Sequence, residues 1–173
     1  MNKTTNDLID ISAVTPDLSR EYKRVFQWIP SRSLLASIRD YQKFSISSNI
    51  FVRVILSKMA VLRHRFWSVV TGADIPVNCQ LGGGLLIPHP NGIVIHPEAK
   101  IGPNCLIFQQ VTVGMKGETG LPEIGGHVDI GAGAKILGNV KIGDHASIGA
   151  NSVVMHDVPA GKSAVGIPAK ILD

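Results

Sequence analysis

Histidine is the side chain best suited to moving protons near neutral pH, and His89 stands in an unusual place in this sequence. It lies within residues 87–92, between two prolines, and this composition predicts a rigid turn. The turn falls where a repeating pattern is interrupted, and interruptions of a repeat are common places for functional residues. Four other histidines lie at or near expected turns, with His96 as the second candidate: His96, His127, His145 and His156.

Two further groups could do chemistry, but their spacing argues against it. Cys79 and Cys105 are well separated in the sequence and form no Cys-X-X-Cys pattern, which disfavours a disulfide framework and a zinc ribbon. We expect buried apolar thiols in a reducing compartment. The glycines at 82–84 are followed neither by Lys-Ser/Thr nor by the start of a helix, so they indicate a turn rather than a phosphate-binding loop.

The elements that position these residues follow from a repeat of six. In three runs every sixth residue is aliphatic, whereas a helix needs apolar residues every three or four positions and a strand every two. A spacing of six fits three short strands per coil, each with one buried side chain, and so predicts a parallel β-helix. An ordinary sandwich would need this spacing to be coincidental. The runs are Ile75, Leu81, Ile87, Ile93; Ile95, Ile101, Ile107, Val113; and Ile124, Ile130, Ile136, Ile142, Ile148, Val154.

The repeat has two breaks. The first is a shift of phase by two positions between Ile93 and Ile95, and it makes the corner that carries His89 irregular. The second lies between Val113 and Ile124, whose separation is nearly twice the regular spacing of six. The inserted residues 115–122 are polar and rich in glycine, so we predict a loop that projects from the coil and carries binding residues.

The N-terminal part has helical patterns. Residues 1–15 are polar and are expected to fray, and a short helix capped by Thr15 should end before Pro30. A second helix is predicted at 34–43, and a third at 50–70, capped by Asn49 and closed by Gly72. We expect the apolar stripe of the third helix to pack against the β-helix end or sister subunits. The stripe is Phe51, Ile55, Met59, Leu62, Phe66 and Val69.

The sequence divides into a helical N-terminal region, 1–73, and a β-helix domain, 74–173. The first region has 11 Lys and Arg against five Asp and Glu, and the second has six against eight. The basic cluster Arg53, Lys58, Arg63 and Arg65 indicates either attraction to an anionic membrane or a phosphorylated substrate, or simply a solvated helix face. No nucleic-acid motif accompanies it. With no apolar run long enough to span a membrane and no signal peptide, the expected location is cytoplasmic.

Three segments, together with the ladder, carry a resemblance to a known family. Residues 74–170 resemble the serine O-acetyltransferase branch of the hexapeptide acyltransferases, which also has polysaccharide O-acetyltransferase relatives. The resemblance implies a left-handed parallel β-helix, a homotrimer with active sites between subunits, and acetyl-CoA as the acyl donor. The segments are His89-Pro90-Asn91-Gly92-Ile93-Val94, Gly131-Ala132-Gly133-Ala134-Lys135-Ile136-Leu137-Gly138-Asn139 and Gly166-Ile167-Pro168-Ala169.

The same resemblance assigns roles to site residues. His89 matches the general base of that branch, and Asp74 matches the aspartate that orients it. This agrees with the chemistry, because acyl transfer to a hydroxyl needs a base near neutral pH and a carboxylate can fix the tautomer of its imidazole. A structural corner histidine is the alternative for His89. The β-helical carbonic anhydrases also share this repeat, but their histidine spacings are absent, so no metal is expected.

The donor site implied by the resemblance lies in the cleft between neighbouring β-helices. Ala132 and Ala150 match small corner residues beside which the pantetheine arm passes, and Gly114 lies where the loop leaves the coil beside the thioester. Lys135 and Lys170 are expected to contact the phosphates of CoA; the alternative is that these lysines only aid solubility.

Two departures from the branch bear on the acceptor. The serine-specific enzymes hold the ammonium of serine with an acid just before the catalytic histidine, where this chain has Pro88. They hold its carboxylate with an Arg-His pair, where this chain has Gly120-Leu121. Unpartnered charges are costly when desolvated, so we predict a neutral acceptor, a sugar of surface-polysaccharide assembly. The alternatives are a serine O-acetyltransferase of cysteine biosynthesis and a non-catalytic trimeric assembly module.

Overall fold

The fold consists of a small helical region followed by a coil of very short strands. The structure, a computed structural model, describes residues 11–24, 27–118 and 120–172. The helical elements are a 3-10 turn at Leu18–Glu21, helix α1 at Pro30–Ser45, a π-helical turn at Val52–Leu56 and helix α2 at Ser57–Thr71. The strands are β1 Gln80–Leu81, β2 Val94–Ile95, β3 Lys100–Ile101, β4 Leu106–Ile107, β5 Thr112–Gly114, β6 Glu123–Ile124, β7 Asp129–Ile130, β8 Lys135–Leu137, β9 Lys141–Ile142, β10 Ser147–Ile148, β11 Val153–Val154, β12 Ser163–Gly166 and β13 Ala169–Leu172.

The strands form three sheets, each of which takes one strand from every coil. Their orders are β1-β3-β6-β9, β2-β5-β8-β11 and β4-β7-β10-β12-β13. All pairings are parallel except that of β12 with β13, an antiparallel hairpin at the C-terminal end. From β1 to β12, strands that succeed one another along the chain lie in different sheets, as the predicted three-sided coil requires.

The predicted ladder fills the interior of the coil. All fourteen aliphatic residues of the three runs are buried, and they belong to one hydrophobic core. In strands β1 to β11 the ladder residue points inward and the residue before it points outward, for example Ile101 and Lys100 of β3. Burying one aliphatic side chain per strand is the main source of stability that so narrow a coil can have.

At each break in the repeat, one coil contains more residues than the regular coils. In the regular part, paired residues are separated by three repeats of six, as for Glu123 and Lys141. Asp74 instead bridges to Val94, a slightly longer step, and the extra length falls in the turn that carries His89. The step from Thr112 to its partner Lys135 is longer still, because the predicted loop is inserted there. Both insertions therefore lie at corners, where extra residues do not disturb the register of the paired strands.

The corners stack into columns of left-handed backbone. One column contains Gly92, Gln110, Gly133 and Asn151, and successive members are joined through backbone hydrogen bonds of their segments. A Cβ at Gly133 would lie 2.1 Å from Oδ1 of Asn151, so a larger residue at this corner would be strained and would have to displace the Asn151 side chain. The non-glycine residues with left-handed backbone in the described chain are all polar: Asn104, Gln110, His127, His145 and Asn151.

One buried asparagine holds the N-terminal segment against the coil. Asn104 is fully buried, and its Nδ2 donates to the carbonyls of Ser12 and Thr15 at 2.7 and 2.8 Å. Its Oδ1 accepts from the backbone N–H of Asp17 at 2.8 Å. Residues 11–15 are therefore held against the coil, contrary to the expectation that they fray; the same expectation for 1–10 lies outside the described residues. The cap of the following 3-10 turn is Asp17 rather than Thr15, because its side chain accepts from the Ser19 N–H.

Helix α1 covers the first end of the coil. Its residues Leu34, Leu35 and Ile38 are buried in the same core as the ladder. Arg39 forms an ion pair with Glu21 at 2.7 Å and donates to the carbonyl of Leu81, also at 2.7 Å. The cap predicted for a solenoid end is therefore present, although α1 begins at Pro30, ahead of its predicted start, and has no side-chain cap.

Helix α2 follows a π-helical turn, and its inner face differs from the predicted one. Asn49 accepts from the N–H groups of Phe51 and Val52, as a predicted cap should, and Gly72 ends the helix with φ of 64°. The face toward the core carries Ala60, His64, Trp67 and Thr71, and His64 Nε2 lies 2.7 Å from the Ile75 carbonyl oxygen. The predicted packing of the apolar stripe against the β-helix end is wrong, because its six members are exposed on the single chain; packing against sister subunits stays a prediction. The six are Phe51, Ile55, Met59, Leu62, Phe66 and Val69.

The division of the chain at residues 73 and 74 stays a prediction, as the core is shared by α1 and the coil. No helix within residues 11–24, 27–118 and 120–172 has the length and apolar composition needed to cross a membrane.

The two cysteines are expected to resist modification. Burial raises the pKa of the Cys79 thiol to about 12 and that of Cys105 to about 11. Because the thiolate is the reacting form, both thiols should react with Ellman's reagent far more slowly in the native protein than in denaturant at pH 8. Prompt labelling of both thiols in the native state would show that the coil opens at these positions.

The C-terminal hairpin should be pH-sensitive through His156. Its Nε2 lies 2.7 Å from the Ala169 carbonyl oxygen, and this hydrogen bond, followed by that to the Asp157 carbonyl oxygen, raises the pKa of His156 above its usual 6.5. Because the native pKa is raised, the stability that the His156 hydrogen bonds contribute is fully present below pH 6.5 and is lost as the pH rises through the native pKa. Hydrogen exchange, corrected for its intrinsic pH dependence, should show Ser163–Leu172 better protected at pH 6 than at pH 8, and His156→Ala should remove the difference.

Candidate active site

The segments that carry Asp74 and His89 lie side by side in the first coil. Asp74 forms a parallel bridge with Val94 just after the His89 turn. The N–H of Gly92 donates to the carbonyl of Gly72 at 2.8 Å, which closes the turn against the residues that precede Asp74. The extension of this coil thus brings both predicted catalytic segments to one place on the surface.

Both side chains are exposed at this place. All six histidines fall within the described residues, and only the ring of His89 makes no hydrogen bond there. His96, the second candidate, accepts from the N–H of Glu98 at 3.2 Å. The Asp74 carboxylate is not hydrogen-bonded to His89 in the single chain, so the catalytic pair stays a prediction. An imidazole without a structural partner is nevertheless what a proton-transfer role requires.

The remaining histidines have structural surroundings. His127 and His145 lie on neighbouring corners with their rings edge to face and their Nδ1 atoms 2.8 Å apart, and both have left-handed backbone. Within the described part of the chain, no group of three His, Cys, Asp or Glu residues could hold a metal ion.

The predicted donor residues follow one corner of the coil. Ala132 and Ala150 lie on successive coils, where the Ala132 carbonyl accepts from the N–H of Asn151 at 2.7 Å. The C-terminal hairpin continues the same column, because the Gly166 N–H donates to Ser152 Oγ at 3.1 Å. Small residues here leave the backbone of several coils accessible along one edge. Lys170, paired with Val165 in the hairpin, lies at the end of this edge.

Gly114 and Lys135 lie on the adjacent sheet. Gly114 ends β5 opposite Leu137, and a Cβ built on it would meet nothing within 4 Å, so there is open space beside it. Lys135 lies on β8, and its Nζ donates to the carbonyl of Gln110 at 2.5 Å. The small residues of the edge, with the open space and a lysine on the adjacent sheet and a second lysine at the end of the edge, fit an extended, phosphate-bearing ligand such as CoA. The roles of Gly114, Ala132, Lys135, Ala150 and Lys170 stay predictions.

A cleft beside Pro88 was not predicted from the sequence. It has a volume of about 300 Å³ and lies between the N-terminal part of α1, the 3-10 turn that contains Arg20, and residues 85–88, which lead to His89. Arg20 and Arg32 bring two guanidinium groups to it. Arg20 donates to the Asn104 carbonyl at 2.6 Å and Arg32 to the Tyr22 carbonyl, so backbone contacts position both cations. No local motif marks these arginines, because distant elements bring them together.

Comparison with known proteins identifies the class. The family model described as bacterial transferase hexapeptide, six repeats, matches residues 122–156. This match and the three-sided coil make the chain similar to the bacterial hexapeptide-repeat transferases.

Relatives identify the family more closely. A serine acetyltransferase of Staphylococcus aureus is 38% identical over 161 residues, which are 88% of this chain and 76% of the relative. The chain belongs to the serine acetyltransferase family. A serine acetyltransferase of Synechococcus elongatus is 43% identical over 107 residues, 60% of this chain and 44% of the relative.

Solved structures agree with this assignment and confirm the predicted left-handed β-helix with a helical N-terminal region. A serine acetyltransferase solved in complex with CoA superimposes with a TM-score of 0.68 at 33% identity, over 84% of this chain and 58% of the other. The Neisseria gonorrhoeae enzyme in complex with serine gives a TM-score of 0.71 at 33% identity, over 91% of this chain and 66% of the other. The chain spans about half the length of several of these relatives.

The predicted sugar acceptor is wrong. The relatives are serine acetyltransferases, and the similarity extends over most of the chain instead of being confined to the coil. The prediction rested on Pro88 and Gly120-Leu121, where the expected charged residues are missing. It assumed that only those positions could supply charge, whereas the cleft beside Pro88 contains two arginines from the N-terminal region.

Proposed function

We propose that this chain is a serine O-acetyltransferase, which transfers the acetyl group of acetyl-CoA to the hydroxyl of serine. The observation that carries the proposal is the 38% identity to the Staphylococcus aureus serine acetyltransferase over 88% of this chain. The free imidazole of His89, next to the Asp74 segment, supports it. O-acetylserine would then be the product, and free CoA the leaving group.

In the proposed mechanism His89 is the general base. It removes the proton of the serine hydroxyl as the oxygen attacks the thioester carbon, and it returns the proton to the departing CoA thiolate. Asp74 acts as a positioning residue, which holds one ring nitrogen so that the other faces the hydroxyl and which stabilises the transient imidazolium. The transfer needs no redox step, and protons balance between the hydroxyl and the thiol.

Acetyl-CoA supplies the activated acyl group, and this chain would bind it along the edge formed by Ala132 and Ala150. The small side chains permit an extended arm to lie close to the backbone, and Gly114 leaves room at the thioester end. Lys135 and Lys170 would attract the phosphates.

Serine brings a carboxylate, and we expect Arg20 and Arg32 to bind it in the cleft beside Pro88. Losing a charge-assisted hydrogen bond typically lowers binding by about 1.5–3 kcal/mol, so Arg32→Ala should raise the KM for serine about 10- to 100-fold. The KM for acetyl-CoA and kcat should change little. Arg24→Ala, which removes an exposed arginine from the same region, is the matched control. An unchanged KM for serine in Arg32→Ala and Arg20→Ala would place the carboxylate elsewhere.

We further propose that the active form is a homotrimer in the cytoplasm. On the single chain His89 and Asp74 are exposed on one side, so a neighbouring copy would provide the second wall of the site. Light scattering should give a mass close to three times the 18.5 kDa of one chain. A monomer with full activity would contradict this arrangement.

Release of CoA thiol tests the activity. The purified chain with acetyl-CoA should release thiol in proportion to added L-serine, and the slow reactivity of Cys79 and Cys105 keeps the background low. Homoserine and N-acetylserine are useful controls. In homoserine the hydroxyl lies further from the α-carbon than in serine, and in N-acetylserine the ammonium group is absent. Absence of serine-dependent release from a trimer that binds CoA would contradict the proposal and favour a non-catalytic assembly module.

A further inference from the structure

The outer surface of α2 and of the π-helical turn is a broad apolar face. Among its members, Phe51, Leu62 and Val69 are 72%, 70% and 84% exposed. Soluble monomers rarely expose a continuous face of this kind without a partner. We define the outer face by its exposed apolar side chains: Ile50, Phe51, Val54, Ile55, Met59, Leu62, Phe66, Val69 and Val70.

Positive charge borders the outer face. Residues 41–73 contain five Lys and Arg and no Asp or Glu. Of these cations, Arg63 pairs with Asp40. Arg53, Lys58 and Arg65 form no ion pair within the described residues and together line a hollow of about 460 Å³.

The hollow adjoins the apolar face directly. Its walls also include Val54, Val61 and Leu62, so charged and apolar groups meet in one depression. Ser57 lies in the same wall, and its hydroxyl is buried without a hydrogen-bond partner in the described structure. A phosphate group attached to hydrocarbon would meet both the cations and the apolar walls.

We propose that the outer face docks onto an anionic phospholipid membrane surface. The apolar side chains would enter the boundary between headgroups and acyl chains, while Arg53, Lys58 and Arg65 bind lipid phosphates. The charge pattern favours this occupant over a two-fold contact with a second copy of the chain. In a two-fold contact the outer face would meet itself, and positive side chains would then oppose positive side chains.

The proposal concerns location and does not depend on serine being the acceptor. Because α2 continues into the coil at Gly72, docking would hold the His89 corner near the membrane. Turnover of a soluble substrate should be unaffected by mutation of the outer face.

Flotation with lipid vesicles tests the proposal on the full chain. The wild type should float with vesicles of phosphatidylcholine and phosphatidylglycerol, weakly or not at all with phosphatidylcholine alone, and less as salt rises. Leu62→Ser with Phe66→Ser should lower partitioning about tenfold or more. Lys58→Glu with Arg65→Glu should lower it about 25-fold.

Matched variants control for general effects. Val14→Ser with Ile167→Ser removes exposed apolar side chains elsewhere, and Arg24→Glu with Lys162→Glu reverses exposed charges elsewhere; both should float like the wild type. All substituted residues are exposed, and circular dichroism and serine turnover report folding independently of lipid.

Several results would overturn the proposal. They are absence of flotation with anionic vesicles, equal flotation with neutral vesicles, and unchanged flotation of the outer-face variants. Displacement from vesicles by free glycerol phosphate would show a site for the headgroup alone. Self-association that Leu62→Ser abolishes, without vesicle binding, would assign the face to a second copy.

Discussion

His89→Ala should lower kcat for serine acetylation by between about 10² and 10⁴, because a positioned general base contributes this much to proton transfer. The Kd for CoA, measured by calorimetry, should stay at the wild-type value. The side chain is exposed and makes no hydrogen bond within the part of the chain that the structure describes, so its removal should leave the fold intact.

His96→Ala is the matched control, since His96 lies near the same coil and was the second candidate from the sequence. It should retain wild-type kcat. Full activity in His89→Ala, or loss of CoA binding together with activity, would contradict the assignment. A defect in His96→Ala as large as that expected for His89→Ala would mean that the base had been misidentified.

Ile130→Ala should destabilise the coil by about 2–5 kcal/mol, the usual range for removing a large aliphatic side chain from a core. Ile130 is fully buried on β7, between ladder residues of the coils above and below. The narrow interior is closed by backbone on all three sides, so it has little freedom to collapse around the cavity. Urea unfolding at one fixed protein concentration measures the change.

Ile167→Ala provides the comparison for stability, because Ile167 is 75% exposed in the C-terminal hairpin. It should change the free energy of unfolding by no more than about 0.5 kcal/mol. If the two variants were equally stable, the ladder would not be the principal source of stability.

The coil could be predicted from the sequence because its physical rule is local. Each strand buries one side chain, and each corner accepts a small or polar residue, so a spacing of six appears directly in the residues. The two breaks were also visible, since adding residues at a corner shifts the phase of the ladder. The turn with His89 and the projecting loop were located in this way.

The helical region was predicted less well because its packing depends on distant parts of the chain. The apolar stripe of α2 has the helical period of a buried face, yet Ala60, His64 and Thr71 are buried instead. The bond of His64 to the Ile75 carbonyl fixes this rotation, and no periodicity reveals it. In the same way, the sequence indicates only that Asn104 is a corner residue, because its contacts with the N-terminal segment depend on the fold.

The error about the acceptor has a related cause. Pro88 and Gly120-Leu121 were judged as the only places that could hold the charges of serine. A charge can come from any element that folds back onto the site, and Arg20 and Arg32 are examples. The placement of Asp74 and His89 on one coil was open to prediction from the resemblance, and their catalytic roles stay predictions. The cleft was not open to prediction, because three separate segments form it.

Identification of the product tests the central claim most directly. Acetyl-CoA labelled with ¹³C in the acetyl group, incubated with L-serine and the purified chain, should give the ester carbonyl resonance of O-acetylserine in step with the release of CoA. The His89→Ala protein should give neither signal above the uncatalysed rate. A CoA-binding wild-type protein that leaves the label on CoA, with serine unchanged, would contradict the account.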